Sequence, residues 1–507
     1  MRRLIAISSA IACAQLTAVA WAQTAPAPAE APPPVAPAPA TTPVPAYPPP
    51  ADVAPAPAPA PLPPPAPMVA PVAPPAPPAP PVGVAPLDGP QPMTSKWATT
   101  FYGFAEFDAI NDSTQSFNDP AGNAAIAKRT TLAGKNDRTT FGMRNSRIGF
   151  KITSPEYHGI KASGVVEADF LGNQATGFSE QQIFSNAGLR VRHFALKVET
   201  PVVDMMFGQY WGLFGWQAYF DPNTVEIQGV PGEVFSRTAQ ARISKTIKAG
   251  DTSLDIAVAA VRPPQRNSGV PDGQGGIKFT YGGWKTVRTV GSTGTSADGL
   301  SIGVSGVARR FIEPNFNAAP TGRKGKSGFG ISIDGLIPVV PGTLENRANS
   351  LALTGSFVAG TGIADLYSGL TGGVPIAPAL PNPGMVSPAP TYTADIDQGL
   401  TTFDSAGNLH TINWQSYIVG AQYILPIEEL WISANYSHMK SSNATRYTDA
   451  AGAAKIFNKS HWWDVNLFYD MTKAVRFGGE FAQFFQTYGD GKTAKNNRFQ
   501  FSAFYIF

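Results

Sequence analysis

The sequence predicts an all-β fold: a transmembrane antiparallel β-barrel of about sixteen strands, preceded by a disordered Pro/Ala-rich arm. Three observations carry that expectation. The chain stops on an aromatic, Phe507, behind a run that places Phe499, Phe501, Ala503 and Tyr505 on the same face and Arg498, Gln500 and Ser502 on the other. Phe504 interrupts the polar face. Successive strand side chains point to opposite faces, so such a strand can touch lipid on one side and water on the other. The other end of the chain carries an export signal. Between the two, runs of about ten alternating residues recur, the length that crosses a bilayer as a tilted strand. No apolar run of about 18 or more follows residue 96, so helical spans are not expected.

Taken from the N-terminus, residues 1–22 read as a signal peptide. Met1-Arg2-Arg3 is the cationic start, Leu4 to about Val19 the apolar stretch, and Ala20-Trp21-Ala22 the small-residue cleavage site before Gln23. Cys13, the only cysteine, falls inside it, and a lipoprotein cleavage there lacks the usual leucine, since Ala10 stands three residues earlier. The mature chain then has neither a disulfide nor a thiolate metal site. Residues 23–95 form a Pro/Ala-rich spacer. It holds roughly 30 of the chain's prolines and favours extended polyproline II. At about 3.1 Å per residue it would reach on the order of 200 Å, enough to contact a cell-wall layer from the periplasm.

Residues 96–507 are the expected outer-membrane barrel. From Trp97 to Ala109, Phe101, Gly103, Ala105 and Phe107 oppose Tyr102, Phe104, Glu106 and Asp108. Ile160 to Phe170 sets alanine, valine and glycine against Lys161, Ser163, Glu167 and Asp169. Similar splits occur at 234–244, 300–309, 430–437 and 463–470, with weaker strands near 142–153, 202–211, 252–262, 275–282, 327–336, 349–358, 411–424 and 475–486. In the segment Leu189–Glu199, Arg190 and Arg192 lie on one face and Lys197 and Glu199 on the other, a switch that a β-bulge would explain. Short turns at 154–159, 200–202, 426–429 and 471–474 alternate with long polar loops at 110–140, 171–188, 212–233, 360–409 and 440–459. Short periplasmic turns and long outer loops are the asymmetry of such barrels.

Three stretches carry a family resemblance: Arg144-Asn145-Ser146-Arg147-Ile148-Gly149-Phe150-Lys151, Phe207-Gly208-Gln209-Tyr210-Trp211, and the segment from Asp221-Pro222-Asn223-Thr224-Val225-Glu226 through Gly229-Val230-Pro231-Gly232 to Arg242. With the terminal aromatic, they make the chain resemble Gram-negative outer-membrane porins, most closely the DcaP-like porins. The resemblance covers most of 97–507. It implies a sixteen-stranded barrel in the outer membrane, a homotrimer, passage of small hydrophilic solutes, a preference for anions such as dicarboxylates, and a loop at 212–233 that folds inward. The relatives carry a coiled coil before the barrel; here the Pro/Ala tract stands in its place.

A pore selects by its diameter and the charges that line it. Expected lining residues are Glu106, Asp108, Arg147, Glu167, Asp169, Arg190, Arg192, Gln209, Arg242 and Arg309, with Asp221 and Glu226 in the constriction loop. Arg144 and Arg237 fall on the opposite face by strict alternation, unless a bulge or a strand end re-aims them. An arginine ladder facing an acidic loop would set up a transverse field and concentrate anions. The net charge of +3 is too small and too dispersed for nucleic-acid binding.

No enzyme constellation emerges, and neither a cofactor nor a metal is expected. Gly325-Lys326-Ser327 lacks the preceding phosphate-loop glycine, since Pro320 occupies that place. His158, His193, His410, His438 and His461 are not spaced as metal pairs. The partners expected are outer-membrane lipid, small polar or anionic solutes and two further copies of the chain. A structural tether to the wall, or a receptor or adhesin built on a barrel anchor, is the alternative reading.

Overall fold

Alternating segments pair edge to edge until the last closes on the first. The structure, a computed structural model, describes residues 97–507 apart from 173–187, 227–228, 266–267, 292, 316–319, 372–377 and 386–395. The expected signal peptide and Pro/Ala arm lie outside the described residues. The strands are β1 (Ala98–Asp112), β2 in two pieces (Arg138–Gly142 and Arg147–Thr153), β3 (Lys161–Asp169), β4 (Arg190–Glu199), β5 (Asp204–Trp211), β6 (Arg237–Ala249), β7 (Thr252–Val261) and β8 (Asp272–Val290). They continue as β9 (Gly294–Pro314), β10 (Arg323–Val340), β11 (Leu351–Thr361), β12 (Asn413–Ile424), β13 (Leu430–Lys440), β14 (Phe457–Asp470), β15 (Val475–Tyr488) and β16 (Thr493–Ile506). Each pairs antiparallel with its neighbour, and β1 pairs with β16. Both pieces of β2 lie along β1, so the 17 segments of the sheet form sixteen strands.

The terminal aromatic sits at the seam. The Gly103 N–H donates to the Phe507 carbonyl at 2.8 Å, and the Phe507 N–H returns a bond to Gly103 at 3.0 Å. The Phe507 ring stacks on Phe101 at 5.1 Å, and Phe101 meets Phe150 at 5.0 Å. The closing strand thus satisfies its backbone and extends an aromatic outer surface at once, as a lipid-facing wall requires. Phe107, Phe194, Phe207, Phe499 and Phe501 are exposed on that surface, while Glu106, Asp108, Asp464, Glu480 and Arg498 are buried on the inner one.

The two rims differ as expected. Residues 154–160, 200–203, 250–251, 425–429 and 471–474 turn one rim, while 113–137, the described parts of 212–236 and 362–412, and 441–456 belong to the other. The long segments turn back into the barrel mouth. Phe117 and Ile126, Phe214 and Val230, and Ile363, Leu366, Leu380 and Leu400 pack with Trp414, Trp462 and Phe484 of the inner wall into one buried cluster. Burial of that apolar surface is what holds loops of this length in place.

The face switch in β4 is a bulge. His193 pairs with Glu167, yet Val191 pairs with Ala168, so Arg192 is the extra residue. Arg190, Arg192, His193, Ala195 and Lys197 all turn away from the lipid face as a result, with Arg192 1% and His193 4% exposed. One extra residue converts a wrongly phased strand into one that offers cations to the lumen along its whole length.

Candidate pore constriction

The loop after β5 runs across the lumen. Gly212 leaves the wall, and the loop is pinned first to β8 and β9: the Leu213 and Phe214 N–H groups both donate to Gln274 Oε1, at 2.9 and 3.0 Å, and the Gly215 N–H donates to Ser305 Oγ at 2.7 Å. It then reaches β12 to β16. The Asn223 amide donates to Gln422 at 3.0 Å, Ser433 Oγ donates to the Asn223 carbonyl at 2.6 Å, and the Val225 N–H donates to Asn466 at 2.9 Å. Glu226 accepts from Arg498 at 2.8 Å while its own N–H donates to Glu480 at 3.0 Å. The returning limb is braced by the segment after β11, whose Ser368 N–H donates to the Glu233 carbonyl and whose Leu366 carbonyl accepts from the Phe235 N–H. The loop at 212–233 therefore folds inward.

Its acids have two different fates. Glu226 is 1% exposed and shares Arg498 with Asp112. Asp221 accepts from the Ala218 N–H at 3.1 Å and borders the same small space as Glu233. Burial pushes both carboxyls up, and the Asp221 charge pushes Glu233 further. Asp221 borders two small spaces in the lumen: one of about 20 Å³ that it shares with Glu233 and Asp334, and one of about 110 Å³ that Arg147, Arg192, Trp211 and Phe235 also line.

On either side of that space the lumen widens. Towards the long-loop rim lies a cavity of about 390 Å³, with Arg190, Arg237 and Arg262 against Asp365 and Asp397. Towards the short-turn rim lies one of about 430 Å³, with Lys151, Lys197 and Arg242 against Asp204. Basic side chains outnumber acidic ones in these two cavities and in the 110 Å³ space, and they come from β2 to β6 and the segment just after β7, while the charged side chains at the 20 Å³ space are the acids Asp221, Glu233 and Asp334.

The residues singled out from the sequence separate into groups. Arg147, Glu167, Asp169, Arg190 and Arg192 come together: Arg192 bonds Glu167 at 2.7 Å and Asp169 at 3.0 Å, Arg190 bonds Asp169 at 2.6 Å, and Arg147 stands 3.7 Å from Glu167. Arg242 projects inward, donating to the Trp211 carbonyl at 2.6 Å and to Gln240. Glu106 and Asp108 are on the neighbouring strand β1, towards β16, where Asp108 accepts from Asn145, Gln500 and Ser502. Arg309 is fully engaged elsewhere, clamping Asp272 and Asp365 at 2.6 Å each. Gln209 stands apart. It shares a face with exposed Phe207, pairs with exposed Phe194, and donates its amide to the Val191 and Arg192 carbonyls at 2.8 and 3.1 Å. The bulge frees those carbonyls from the ladder, and on a lipid-facing wall some donor must meet them.

Alternation misplaces two arginines. Arg144 lies in the break between the pieces of β2 and donates to Asp119 at 2.6 Å. Arg237 opens β6 and turns in between Trp211 and Phe235, at 4.9 and 5.3 Å from their ring centres. Both sit at strand interruptions, where parity no longer fixes the face. Sequence reasoning passed over Asp112, Arg288 and Glu233, whose partners are more than a hundred residues away or lie in irregular segments.

No family model matches the chain, and no curated protein matches it. Among solved structures, the outer membrane channel DcaP of Acinetobacter baumannii superposes with a TM-score of 0.57 at 18% identity, over 81% of this chain and 97% of that one. An anion-selective porin from Comamonas acidovorans superposes at 0.45 with 10% identity, covering 81% and 100%. The trimer form of OmpT from Vibrio cholerae gives 0.44 with 12% identity, covering 82% and 100%. At 18% identity the first likeness is one of fold, and the closed sheet and its strand count agree with it: this chain is a sixteen-stranded β-barrel with the fold of the outer-membrane channel DcaP.

Proposed function

We propose that the barrel is an outer-membrane porin, a water-filled channel for passive diffusion of small hydrophilic solutes, and that it favours anions. The observation that supports it is the distribution of charge along the open lumen. Arg237 and Arg242 have no carboxylate partner among the described residues, and both project into space left beside the constriction loop. An unpaired guanidinium in a narrow, low-dielectric passage attracts anions and repels cations. Small dicarboxylates are the class that two cationic sites in series suit best. The proposed orientation puts the short turns and both ends of the barrel in the periplasm. A homotrimer is part of the proposal, with the exposed Phe101, Phe107, Phe141, Phe150, Phe194 and Phe207 of β1 to β5 as the surface shared between copies. The arm at 23–95 would lie in the periplasm.

The test is electrical. In planar bilayers under a salt gradient, the purified protein should give stable ohmic steps with a reversal potential of the anion-selective sign. Liposome swelling against graded sugars, amino acids and dicarboxylates should show a size limit, with dicarboxylates faster than neutral solutes of equal mass. Absence of stable steps would overturn the porin reading in favour of a tether or receptor; a cation-selective potential would overturn the anion preference alone.

A further inference from the structure

The hairpin joining β8 to β9 enters the barrel instead of turning at its rim. Leu300 pairs with Tyr281, but Gly299 pairs with Lys285, so Gly282, Gly283 and Trp284 are extruded from the ladder. Gly299 marks the bend: a Cβ there would lie 2.4 Å from the Tyr281 carbonyl oxygen, closer than any side chain tolerates. Past the bend Thr286, Val287, Arg288 and Thr289 are all at most 3% exposed. Four successive buried residues mean that both faces of the hairpin are covered, which a wall strand between lipid and water does not allow.

What covers them is the lumen. Val287 packs with Val225 of the constriction loop and with Ile424, Trp431 and Phe468 of the inner wall. Arg288 pairs with Asp298 at 2.7 Å within the hairpin and donates to the Tyr219 carbonyl of the loop. The Thr289 N–H donates to Gln422 at 3.1 Å, and its carbonyl accepts from Asn223 at 2.9 Å. The tip crosses to the basic wall, where Val290, Gly291 and Thr293 border the narrow cavity with Arg147 and Arg192.

We propose that this hairpin is the second half of the constriction, inserted from the short-turn side, and that it sets the size limit of the channel together with the loop from the long-loop side. The inference rests on the porin reading. The tip residues are uncharged and the Arg288–Asp298 pair is neutral as a unit, so the hairpin restricts by volume while the arginines of β2 to β6 select by charge. Arg288 and Asn223 tie the two halves into one constriction.

The experiment compares the wild-type mature chain with a variant in which residues 282–299 are replaced by Asn-Gly. Tyr281 and Leu300 are directly opposed, so a two-residue turn keeps the register. Single-channel conductance should rise about two-fold or more, with a larger cut-off in liposome swelling and an unchanged sign of reversal potential. Wild-type conductance and cut-off in the folded variant would overturn the proposal. A second variant covers the case in which the shortened barrel does not assemble. Because the only native cysteine lies in the predicted signal peptide, Thr293→Cys offers a single thiol to a charged methanethiosulfonate reagent. Modification should cut the current by about half or more, leaving wild type unaffected; no change in current would overturn the assignment. Loss of channels in the wild type itself would instead count against the porin reading.

Discussion

The two sides of the lumen handle charge in opposite ways. On the side of β14 to β16 and β1, acids gather around one buried cation: Arg498 is 1% exposed and bonds Asp112 and Glu226 while also meeting the Asn118 and Asp119 carbonyls. On the side of β2 to β6, arginines outnumber their acids, and Arg237 and Arg242 have none. The constriction loop docks on the acidic side. Acids and their arginine are thereby consumed in holding the loop, and the open passage is left to the basic side. A barrel with a nearly neutral sum can thus leave its unpaired guanidinium groups on one side of the passage, because the local field depends on which charges remain unpaired and not on the total.

The sharpest break in that contrast is at Arg498. Arg498→Leu leaves Asp112 and Glu226 buried without a cation, a change that costs about 3–5 kcal/mol in comparable buried networks. The loop should detach from β15 and β16. The expected result is a large fall in the temperature at which the folded form is lost on gels, with noisy, larger conductance steps. An unchanged unfolding temperature would show that the loop is held mainly by its contacts with β8 and β9.

Neutralising the other side should do the reverse. Arg237→Gln with Arg242→Gln removes no ion pair, so stability should hold within about 0.5 kcal/mol, as for substitutions outside buried networks. Selectivity should fall. A unit charge about 4 Å from a hydrated ion is worth roughly 1 kcal/mol, or about five-fold in local concentration. The reversal potential in a salt gradient should move towards zero by a corresponding amount, and dicarboxylate swelling rates should drop to those of neutral solutes.

The sequence revealed the wall more fully than the lumen's contents, and particular residues show why. Period-two alternation put Glu106, Asp108, Glu167, Asp169 and Arg242 on the inner face, because a wall between lipid and water enforces parity. Parity also exposed the fault in β4, where Arg190 and Lys197 could share a face only through a bulge. It had no power over Arg144, Arg237 and Gln209, which sit at a break, a strand start and a bulge cap. The hairpin at 282–299 was hidden for a related reason. Lys285 to Val290 show no period-two split between polar and apolar side chains, so parity assigns them no face, and the extrusion of Gly282, Gly283 and Trp284 turns the hairpin inward. Nothing local to Arg309 announced that it would clamp Asp365 of a distant loop instead of facing solute.

The Asp221–Glu233 carboxyl pair gives a smaller, pH-dependent effect. Arg288 and Arg192 lower Asp221, while Asp334 on β10 faces it with a further acid. Both loop carboxyls have folded-state values above their unfolded ones. The folded loop therefore binds more protons, so its stabilisation is full below about pH 4 and declines as the pH rises through the raised range. Thermal stability of the wild type should fall from about pH 5 to about pH 8 by on the order of 1 kcal/mol more than that of Glu233→Gln, which keeps a neutral partner at every pH. Parallel pH profiles for the two proteins would remove this carboxyl pair from the account.

Gln209 is the mildest test of the same contrast, because it lies beside the basic side of the lumen without facing it. Its amide serves the Val191 and Arg192 carbonyls from the lipid face, so Gln209→Leu leaves two acceptors unmet where water is scarce. The cost should be about 1–2 kcal/mol, the penalty for buried polar groups that lose their partner. The bulge keeps Arg190 and Arg192 aimed inward through their bonds to Asp169 and Glu167, which the substitution does not touch. The unfolding temperature should therefore fall slightly while conductance and reversal potential stay at wild-type values. A shift in selectivity would mean that the bulge depends on its outer cap for its shape, and that the arginine ladder is positioned from the lipid side as much as from the acids within.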